Sequence, residues 1–560
     1  MKLSRKTTLA LLLSLITFNI LLRYPQSGHE LGVDSFFVHA LASSILVGGH
    51  ARWILNPLSY FGLYPLSYPS AGPFFLASLS SSTGLNLEAA ILLMSLLLGP
   101  IGILGAFVMA REFRDDPTFA LGVALIYGLA PRFLVFTLWS ASTRNLFMAL
   151  LPLFIWALLR NYRKASWPNA LVLALVFMTV AATHRLVVLM LGVVVAFVLA
   201  IVVLVALRIL RIRFPRQILH NSARKVAPHL ALGVVVAISV GILAATDVLE
   251  EYSVGEFGSG TDVSTQLINL GISIARSGGL ALPLVLVGLV VITRQRGKTI
   301  REPFLALTFL ALIPTLSLRQ YTGFYILPFL AIFGGLGLVG LMNVWRRRPR
   351  AYRALALALV VAISGFSMVV LDIEVQRSST LDDRTYNTGL YVGAVDLPGT
   401  LVVNDGLHAV RVAAISGARV LPVGGAGTTF QSPELLAYGF YTGDEVNQRV
   451  VRMDIFSLTI ESDSLWIATG IQAELDWVTI LESPYGAIPD SLRERYRPSL
   501  YLELRSASGS YLAYDNRYCS DLGLTVRQSG YRLFENEVHT LWWLHAPSVT
   551  PTPGGTQTCP

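Results

Sequence analysis

The stretch EAAILLMSLLLGPIGILGAFVMA, residues 88–110, carries a single charged side chain, at its first position. A helix needs about 20 consecutive apolar residues to cross a bilayer, so this stretch predicts a membrane-spanning helix. Similar apolar runs recur along the first two thirds of the chain. The candidate spans are residues 7–22, 88–110, 118–138, 144–160, 169–184, 186–209, 227–246, 278–293, 303–318, 324–345 and 353–372.

The composition of the whole chain is that of a membrane protein. Its 560 residues are 54% hydrophobic and 14% charged, whereas about 25% charged residues are typical of soluble domains. The formal net charge of +9 does not indicate a nucleic-acid partner, because the basic residues lie mostly between apolar runs and act as a topology signal. We therefore expect an α-helical polytopic membrane protein with about eleven transmembrane helices.

The basic residues also predict the orientation of the chain. Lys and Arg cluster on alternate connections between spans, beginning with Lys2, Arg5 and Lys6 before the first span. Connections rich in Lys and Arg face the cytoplasm in most membrane proteins. We expect a multi-pass protein of a prokaryotic cytoplasmic (plasma) membrane, with the N-terminus inside and the C-terminal region outside.

The composition changes after the last candidate span. Residues 373–560 contain no Lys, and the runs TLVVNDG, LHAVRVAAISG and ARVLPVG predict a strand, a helix and a strand. SLYLELRS and HTLWWLHAP predict further strands, which together indicate an α/β domain. The predicted units are a transmembrane module at 1–372 with a long first outer loop at 23–87, an extracytoplasmic α/β domain at 373–547, and a disordered Pro/Thr-rich tail at 548–560.

The sequence holds two cysteines, Cys519 and Cys559, which lack the spacing of metal ligands. They allow one disulfide if this region lies outside the cytoplasm. No zinc-binding pattern occurs in the sequence. The sequence therefore requires no cofactor and predicts no specific metal ligands, while a divalent metal ion stays an open alternative.

Polar residues from distant parts of the chain reach the outer boundary of the membrane in this topology. Two carboxylates, Glu30 and Asp34, lie four residues apart in the first outer loop, in GHELGVDSFF. Arginine presents a planar fork of donors to a phosphate, and a carboxylate can accept the proton of an attacking hydroxyl. We interpret the group as a site for a phosphate-bearing lipid, with Asp34 and Glu30 as catalytic candidates. The candidates for binding the lipid phosphate or substrate are Arg144, His184, Arg185, Arg319 and Tyr321.

Each of these residues also has an ordinary structural interpretation. Asp34 could cap the helix predicted over SFFVHALASSIL, since Asp is a favoured N-cap residue. Glu30 could be a solvated loop residue, and a single Arg at the end of a span often anchors the helix at the headgroups. His184 could be a turn residue. The prediction of a site therefore depends on the convergence of the group.

The order of these elements resembles that of the C-class (GT-C) membrane glycosyltransferases, which use polyprenyl-phosphate-linked sugars. The resemblance covers roughly residues 1–372. The matching parts are the acidic outer loop, an aromatic–Pro segment, two outer turns and a late Arg, in GHELGVDSFF, NPLSYFGLYPLSYPSAG, STRNLFMALLPLFIWALL, ATHRL and LRQYTGFYILPFLAIFGGLGL.

The resemblance implies roles for particular residues. Asp34 would match the family's catalytic base, and Arg319 would match the late Arg that holds the lipid phosphate. Arg144 and either His184 or Arg185 would line the same cavity. The implied donor is a sugar on a polyprenyl phosphate such as dolichyl phosphate. The implied acceptor is a glycan, a lipid or a protein at the outer face of the membrane.

One departure from the family narrows the expected reaction. The catalytic subunit of oligosaccharyltransferases carries a WWDYG motif in its outer domain, whereas the nearest string here is WWLHA, at Trp542 to Ala546. The acidic residue and the glycine of that motif are missing. We therefore expect transfer of a single sugar from a polyprenyl monophosphate.

Two other classes of function stay open at this point. A non-enzymatic lipid or polymer transporter, or flippase, would place charged or broken helices in mid-membrane, whereas the predicted spans carry almost no charge away from their ends. A membrane-anchored scaffold would bind partners through its outer domain.

Overall fold

The structure is a computed structural model that describes most of the helical part and short segments of the remainder. The described residues are 3–25, 27–49, 70–184, 188–209, 263–294, 299–318, 323–345, 349–377, 381, 383–395, 400–403, 411–412, 414–417, 420–422, 500–505, 530–535 and 539–544.

Helices dominate the described part of the chain. They are α1 (Arg5–Leu21), α2 (Val33–Gly48), α3 (Ala71–Thr83), α4 (Leu87–Phe113), α5 (Pro117–Gly128), α6 (Pro131–Phe136), α7 (Thr143–Arg163), α8 (Trp167–Thr183), α9 (Val188–Ile209), α10 (Val263–Gly278), α11 (Leu282–Arg294), α12 (Arg301–Leu318), α13 (Gly323–Trp345), α14 (Pro349–Arg377) and α15 (Asp383–Val395), with a 3₁₀ turn at Gly279–Ala281.

Several predicted spans are confirmed as long apolar helices. Within the described residues, four helices are long and apolar enough to cross a bilayer: Leu87–Phe113, Thr143–Arg163, Ile274–Arg294 and Gly323–Met342. They coincide with the predicted spans 88–110, 144–160, 278–293 and 324–345. The predicted span 227–246 lies outside the described residues, so the number of about eleven spans stays a prediction.

The predicted span 118–138 is not a continuous helix. Helix α5 ends at Gly128 and α6 begins at Pro131, with Ala130 in an extended conformation (φ −61°, ψ 128°). The ring of a proline excludes the preceding residue from helical backbone angles, while a proline is well accommodated at the first position of a new helix. The short helix α6 therefore takes a direction of its own, and it carries Arg132 and Phe136 toward the candidate site.

Buried polar contacts fix the start of the first outer loop. Arg23, just beyond the end of α1, is fully buried and lies over the ring of Phe133 at 5.0 Å from its centroid. Its Nε donates to the carbonyl of Thr137 at 3.1 Å, and its Nη1 donates to the carbonyl of Asn19 at 3.1 Å. Because a buried cation must keep its donors satisfied, these bonds join α1 to the end of α6.

Helices α11 and α13 touch through their backbones. A Cβ atom at Gly288 would lie 1.8 Å from the carbonyl oxygen of Phe333, and one at Gly337 would lie 1.8 Å from that of Leu284. Small residues let helices in a membrane approach this closely. The contact fixes the position of α13, whose first turn lies beside the candidate site.

The C-terminal strands form a mixed sheet in the order β2-β1-β3-β5-β4. Strand β1 pairs in parallel with β2 and with β3, and β5 pairs antiparallel with β3 and with β4. Helical residues 411–412 and 414–416 lie between β1 and β2, as the strand–helix–strand pattern predicts. The strands are β1 (Thr400–Val403), β2 (Val420–Pro422), β3 (Leu500–Arg505), β4 (Gly530–Glu535) and β5 (His539–Leu544).

The limits of a C-terminal domain and its position outside the membrane stay predictions. Cys519, Cys559 and the Pro/Thr-rich tail at 548–560 lie outside the described residues.

Candidate functional site

The two carboxylates of the first outer loop have different surroundings. Glu30 is fully buried, and its carboxylate accepts a hydrogen bond from Ser35 Oγ and contacts His39 Nδ1. The same Ser35 Oγ accepts from the backbone N–H of Ala141 at 2.7 Å. These contacts tie the loop to the segment before α7. The geometry favours a structural role for Glu30 and leaves Asp34 as the accessible carboxylate of the two.

Asp34 lies in the first turn of α2, and its side chain is 60% exposed. The N-cap of this helix is Gly32, so Asp34 does not cap it, and the capping interpretation is wrong. Gly32 has φ 82° and ψ 156°, a backbone conformation essentially limited to glycine. This turn sets the direction in which the chain enters α2 and so positions Asp34.

Arg144 is the partner of Asp34. Its Nη2 lies 3.2 Å from Asp34 Oδ2, and its side chain is 22% exposed. The guanidinium also lies 5.6 Å from the ring centroid of Phe136, within cation–π distance. Arg144 belongs to the first turn of α7, so the ends of two helices that are distant in sequence form this pair.

An aromatic contact continues from this pair to the start of α13. The rings of Phe136 and Phe324 meet edge to face, with their centroids 4.6 Å apart. Phe324 is the second residue of α13, so it follows Arg319 and Tyr321 closely in sequence. Arg319, Tyr321 and Arg185 themselves lie outside the described residues, and their roles stay predictions.

A second arginine approaches the start of α13 from α6. Arg132 is 5% exposed and lies 4.9 Å from the ring centroid of Phe324. Its guanidinium lies so close to Gly323 that a Cβ there would be 2.1 Å from Nη1. Arg276, at the end of α10, is near enough to repel it electrostatically. Arg132 and Arg276 both occur at predicted outer ends of spans, but neither was among the candidates for binding the lipid phosphate or substrate.

His184 reaches the same region from α8. It is the C-cap of this helix and is 8% exposed. Its ring centroid lies 5.8 Å from that of Phe147, which in turn lies 4.9 Å from that of Tyr325. Residues from α6, α7, α8 and α10 thus lie around the first turn of α13, and Arg144 joins Asp34 of α2 to this group.

Two residues that follow the last predicted span, Asp383 and Tyr386, contact the loop that carries Asp34. His29 Nδ1 lies 3.0 Å from Glu88 Oε1, and His29 Nε2 lies 3.2 Å from Asp383 Oδ1. Each ring nitrogen of His29 thus faces a carboxylate oxygen, which is a hydrogen-bond acceptor. The ring stacks on Tyr386 at 3.9 Å. We call His29, Glu88, Asp383 and Tyr386 the loop clamp.

The backbone of the loop also bonds to the clamp. The N–H of Glu30 donates to Glu88 Oε1 at 3.3 Å. Burial, together with the nearby Glu88 carboxylate and a hydrogen bond to it, raises the pKa of Tyr386 to about 12. The phenol is therefore protonated at neutral pH and donates to Glu88. Asp383 and Tyr386 belong to α15, so a helix beyond the last predicted span stabilises the Asp34 loop.

The described residues do not contain a ready metal site. In these segments, no group of three or more His, Cys, Asp or Glu side chains is placed to hold a metal ion.

No protein-family model matches the sequence. A comparison with curated proteins gives no match either.

Solved structures of membrane glycosyltransferases share the fold. The oligosaccharyltransferase AglB of Archaeoglobus fulgidus, in complex with an inhibitory peptide and a dolichol-phosphate, superposes with a TM-score of 0.53 at 12% identity, over 83% of this chain and 71% of that one. ArnT of Cupriavidus metallidurans, bound to undecaprenyl phosphate, gives 0.53 at 13% identity, over 96% of this chain and 97% of that one.

The arabinofuranosyltransferase AftD from Mycobacteria gives a TM-score of 0.51 at 15% identity, over 98% of this chain and 40% of that one. This chain therefore spans less than half of AftD and nearly all of ArnT. Together with the apolar helices, these likenesses show that the chain is a multi-pass membrane protein with the fold of the GT-C glycosyltransferases.

Proposed function

We propose that this protein is a glycosyltransferase that moves a single sugar from a polyprenyl-phosphate donor to an acceptor at the outer face of a prokaryotic cytoplasmic membrane. The observation that carries the proposal is the ion pair between Asp34 and Arg144, in which Nη2 lies 3.2 Å from Oδ2. This pair combines an accessible base with a cation that can bind phosphate, at the end of the helix bundle where other cationic side chains gather.

Asp34 acts as the general base. Its exposed carboxylate accepts the proton of an acceptor hydroxyl as that oxygen attacks the anomeric carbon of the donor sugar. The new bond joins the acceptor oxygen to the anomeric carbon, and the bond between that carbon and the phosphate oxygen breaks. The electron pair of the broken bond leaves with the polyprenyl phosphate.

Arginines neutralise the charge of the departing phosphate. Arg144 holds the carboxylate of Asp34 with one nitrogen and has further N–H donors on the same fork, which suit a phosphate oxygen. Arg132 of α6, which lies beside the first turn of α13, adds positive charge nearby. In this proposal Arg319 clamps the phosphate together with Tyr321, while His184 and Arg185 line the sugar side of the site.

The ligands of two structural neighbours support the class of donor. AglB was solved with a dolichol-phosphate and ArnT with undecaprenyl phosphate, and both are polyprenyl phosphates. The same proposal assigns the acceptor to glycans, lipids or proteins. The loop clamp would hold Asp34 in place while the acceptor binds.

The decisive experiment compares two Asp-to-Asn variants in membranes supplied with a polyprenyl-phosphate sugar. We expect Asp34→Asn to lower the transfer rate by about 100-fold or more, because a general base contributes on this scale. Asp116→Asn is the matched control: Asp116 caps α5 by accepting from Thr118 N–H at 2.9 Å, and an asparagine can keep this bond.

Equal expression and equal thermal unfolding of both variants would show that the loss is chemical. Full transfer by Asp34→Asn would reject the proposed base. Absence of sugar transfer by the wild-type protein, together with movement of lipid across the membrane, would instead support a flippase.

A further inference from the structure

A cavity of about 390 Å³ lies at the far ends of α4 and α7. Its lining includes Arg111, Arg160, Arg163 and Trp156. Helix α4 begins next to the loop clamp, and the distance from Glu88 to Arg111 is roughly 35 Å at about 1.5 Å per residue. The cavity is therefore at the opposite membrane boundary from Asp34 and belongs to a different site.

A buried carboxylate orients two of the arginines. Glu112 is 5% exposed, and its Oε1 lies 3.1 Å from Arg160 Nη1 and 2.9 Å from Arg163 Nη2. Each guanidinium has five N–H donors, and the bonds to Glu112 use a part of them. Glu112 lines the cavity beside these arginines, and its two bonds fix the orientation of their guanidinium groups.

The accessible surface of the cavity is cationic. The side chains of Arg111, Arg160 and Arg163 are 39%, 32% and 41% exposed, respectively. Asp115 also lines the cavity and pairs with Arg111. The lining thus carries three guanidinium groups and two carboxylates, the buried Glu112 and the exposed Asp115, which leaves one net positive charge.

The aromatic wall places the cavity at the membrane interface. Trp156 is half-buried and lines the cavity one helical turn before Arg160. Tryptophan concentrates at the level of lipid headgroups, where its ring contacts apolar chains and its N–H contacts polar groups. A cationic cavity with such a wall suits a group that is anionic at one end and attached to an apolar chain at the other.

We propose that this cavity binds a phosphate group, supplied either by the headgroup of an anionic phospholipid or by soluble phosphate. The guanidinium forks of Arg111, Arg160 and Arg163 match phosphate oxygens in pairs, and Trp156 covers the glycerol side of a lipid. The site is independent of the proposed transfer reaction.

The test measures binding to the purified full chain with two probes: spin-labelled phosphatidylglycerol in mixed nanodiscs, and inorganic phosphate in solution. The test variant is Arg111→Gln, because it leaves Glu112 with both of its arginine partners and so preserves the fold. The matched control is Arg114→Gln, which removes the same charge at an exposed position outside the cavity lining.

We expect Arg111→Gln to weaken binding by about fivefold, the factor that corresponds to about 1 kcal/mol, because it removes charge-assisted hydrogen bonds inside the cavity. Arg114→Gln removes the same charge outside the lining and should weaken binding by less than about twofold. Binding of the lipid without competition by inorganic phosphate identifies a lipid site, and competition identifies a general phosphate site. Equal binding by the wild-type protein and both variants, or an equal loss in both variants, overturns the proposal.

Discussion

Arg144 Nη2 lies 3.2 Å from Asp34 Oδ2, although the two residues belong to the first turns of different helices. The pair is partly exposed, so it adds little to stability, since exposed ion pairs contribute about 0–1 kcal/mol. The pair matters instead for the geometry of the site, because it places an accessible carboxylate beside a guanidinium. If the pair serves the transfer reaction, changes at this point will alter rates far more than they alter stability.

The variant Arg144→Lys separates charge from geometry. Lysine keeps the positive charge but lacks the planar fork and the stacking surface for Phe136. We expect the sugar-transfer rate to fall by about tenfold or more, while the thermal unfolding midpoint changes little. The control is Arg114→Lys, at an exposed position on the other side of the bundle. A transfer rate equal to that of the wild-type protein would contradict the role of Arg144.

A double-mutant cycle tests the aromatic contact between α6 and α13. We expect Phe136→Leu and Phe324→Leu to show a coupling energy of about 0.5–1.5 kcal/mol in unfolding measurements, as is typical of edge-to-face pairs. The control cycle combines Phe136→Leu with Phe154→Leu. Phe154 lies in α7, more than two helical turns beyond Arg144. That cycle should be additive within about 0.5 kcal/mol, and the aromatic contact is refuted if both cycles give the same coupling.

Replacing Gly32, in the turn before α2, should destabilise the protein through backbone strain alone. Gly32 has φ 82°, and no described atom lies within 4 Å of a Cβ built there. An alanine would thus be strained without any clash, at a cost of about 1–3 kcal/mol. Gly72→Ala is the control, because Gly72 is helical and a Cβ there also meets no described atom within 4 Å. We expect a lower unfolding midpoint and slower transfer for Gly32→Ala alone.

The loop clamp should contribute a pH dependence at alkaline pH. The pKa of Tyr386 is about 12 in the folded protein, above the value of about 10 for an unfolded tyrosine. The protonated phenol therefore stabilises the fold fully below about pH 10, and this contribution is lost as the pH rises toward about 12. The difference in unfolding midpoint between the wild-type protein and Tyr386→Phe should shrink over this range.

Tyr24→Phe provides the matched comparison for that measurement, because Tyr24 is 72% exposed in the same outer loop. If the difference in unfolding midpoint from the wild-type protein depended on pH in the same way for both variants, the raised pKa of Tyr386 would be refuted.

The sequence predicted the helical framework because membrane-spanning helices are encoded locally. An apolar run such as residues 88–110 leaves no other way to satisfy its backbone in a lipid. The sequence also shows the interruption before Pro131, as an Ala-Pro step. The span 118–138 was predicted from the length of its apolar run alone, which does not detect such a break. Topology predicted which residues share a membrane boundary, since each span reverses the chain.

The partners within the site were harder to predict. A helix end has a known depth in the membrane, but its angular position depends on packing between helices, so the sequence could not pair Asp34 with Arg144. The family resemblance already favoured Asp34 over Glu30 as the base, but the sequence could not show that Glu30 is buried, because this burial arises from Ser35 and His39 together with a backbone N–H from a distant segment. The predicted partnership with Arg319 lies beyond the described residues.

The backbone contact at Gly288 and Gly337 constrains how a long isoprenoid chain could thread into the bundle. An acyl-sized tail needs a gap between helices, and at this crossing there is no space even for a methyl group. A lipid chain that enters the bundle would therefore have to pass between other pairs of helices than α11 and α13.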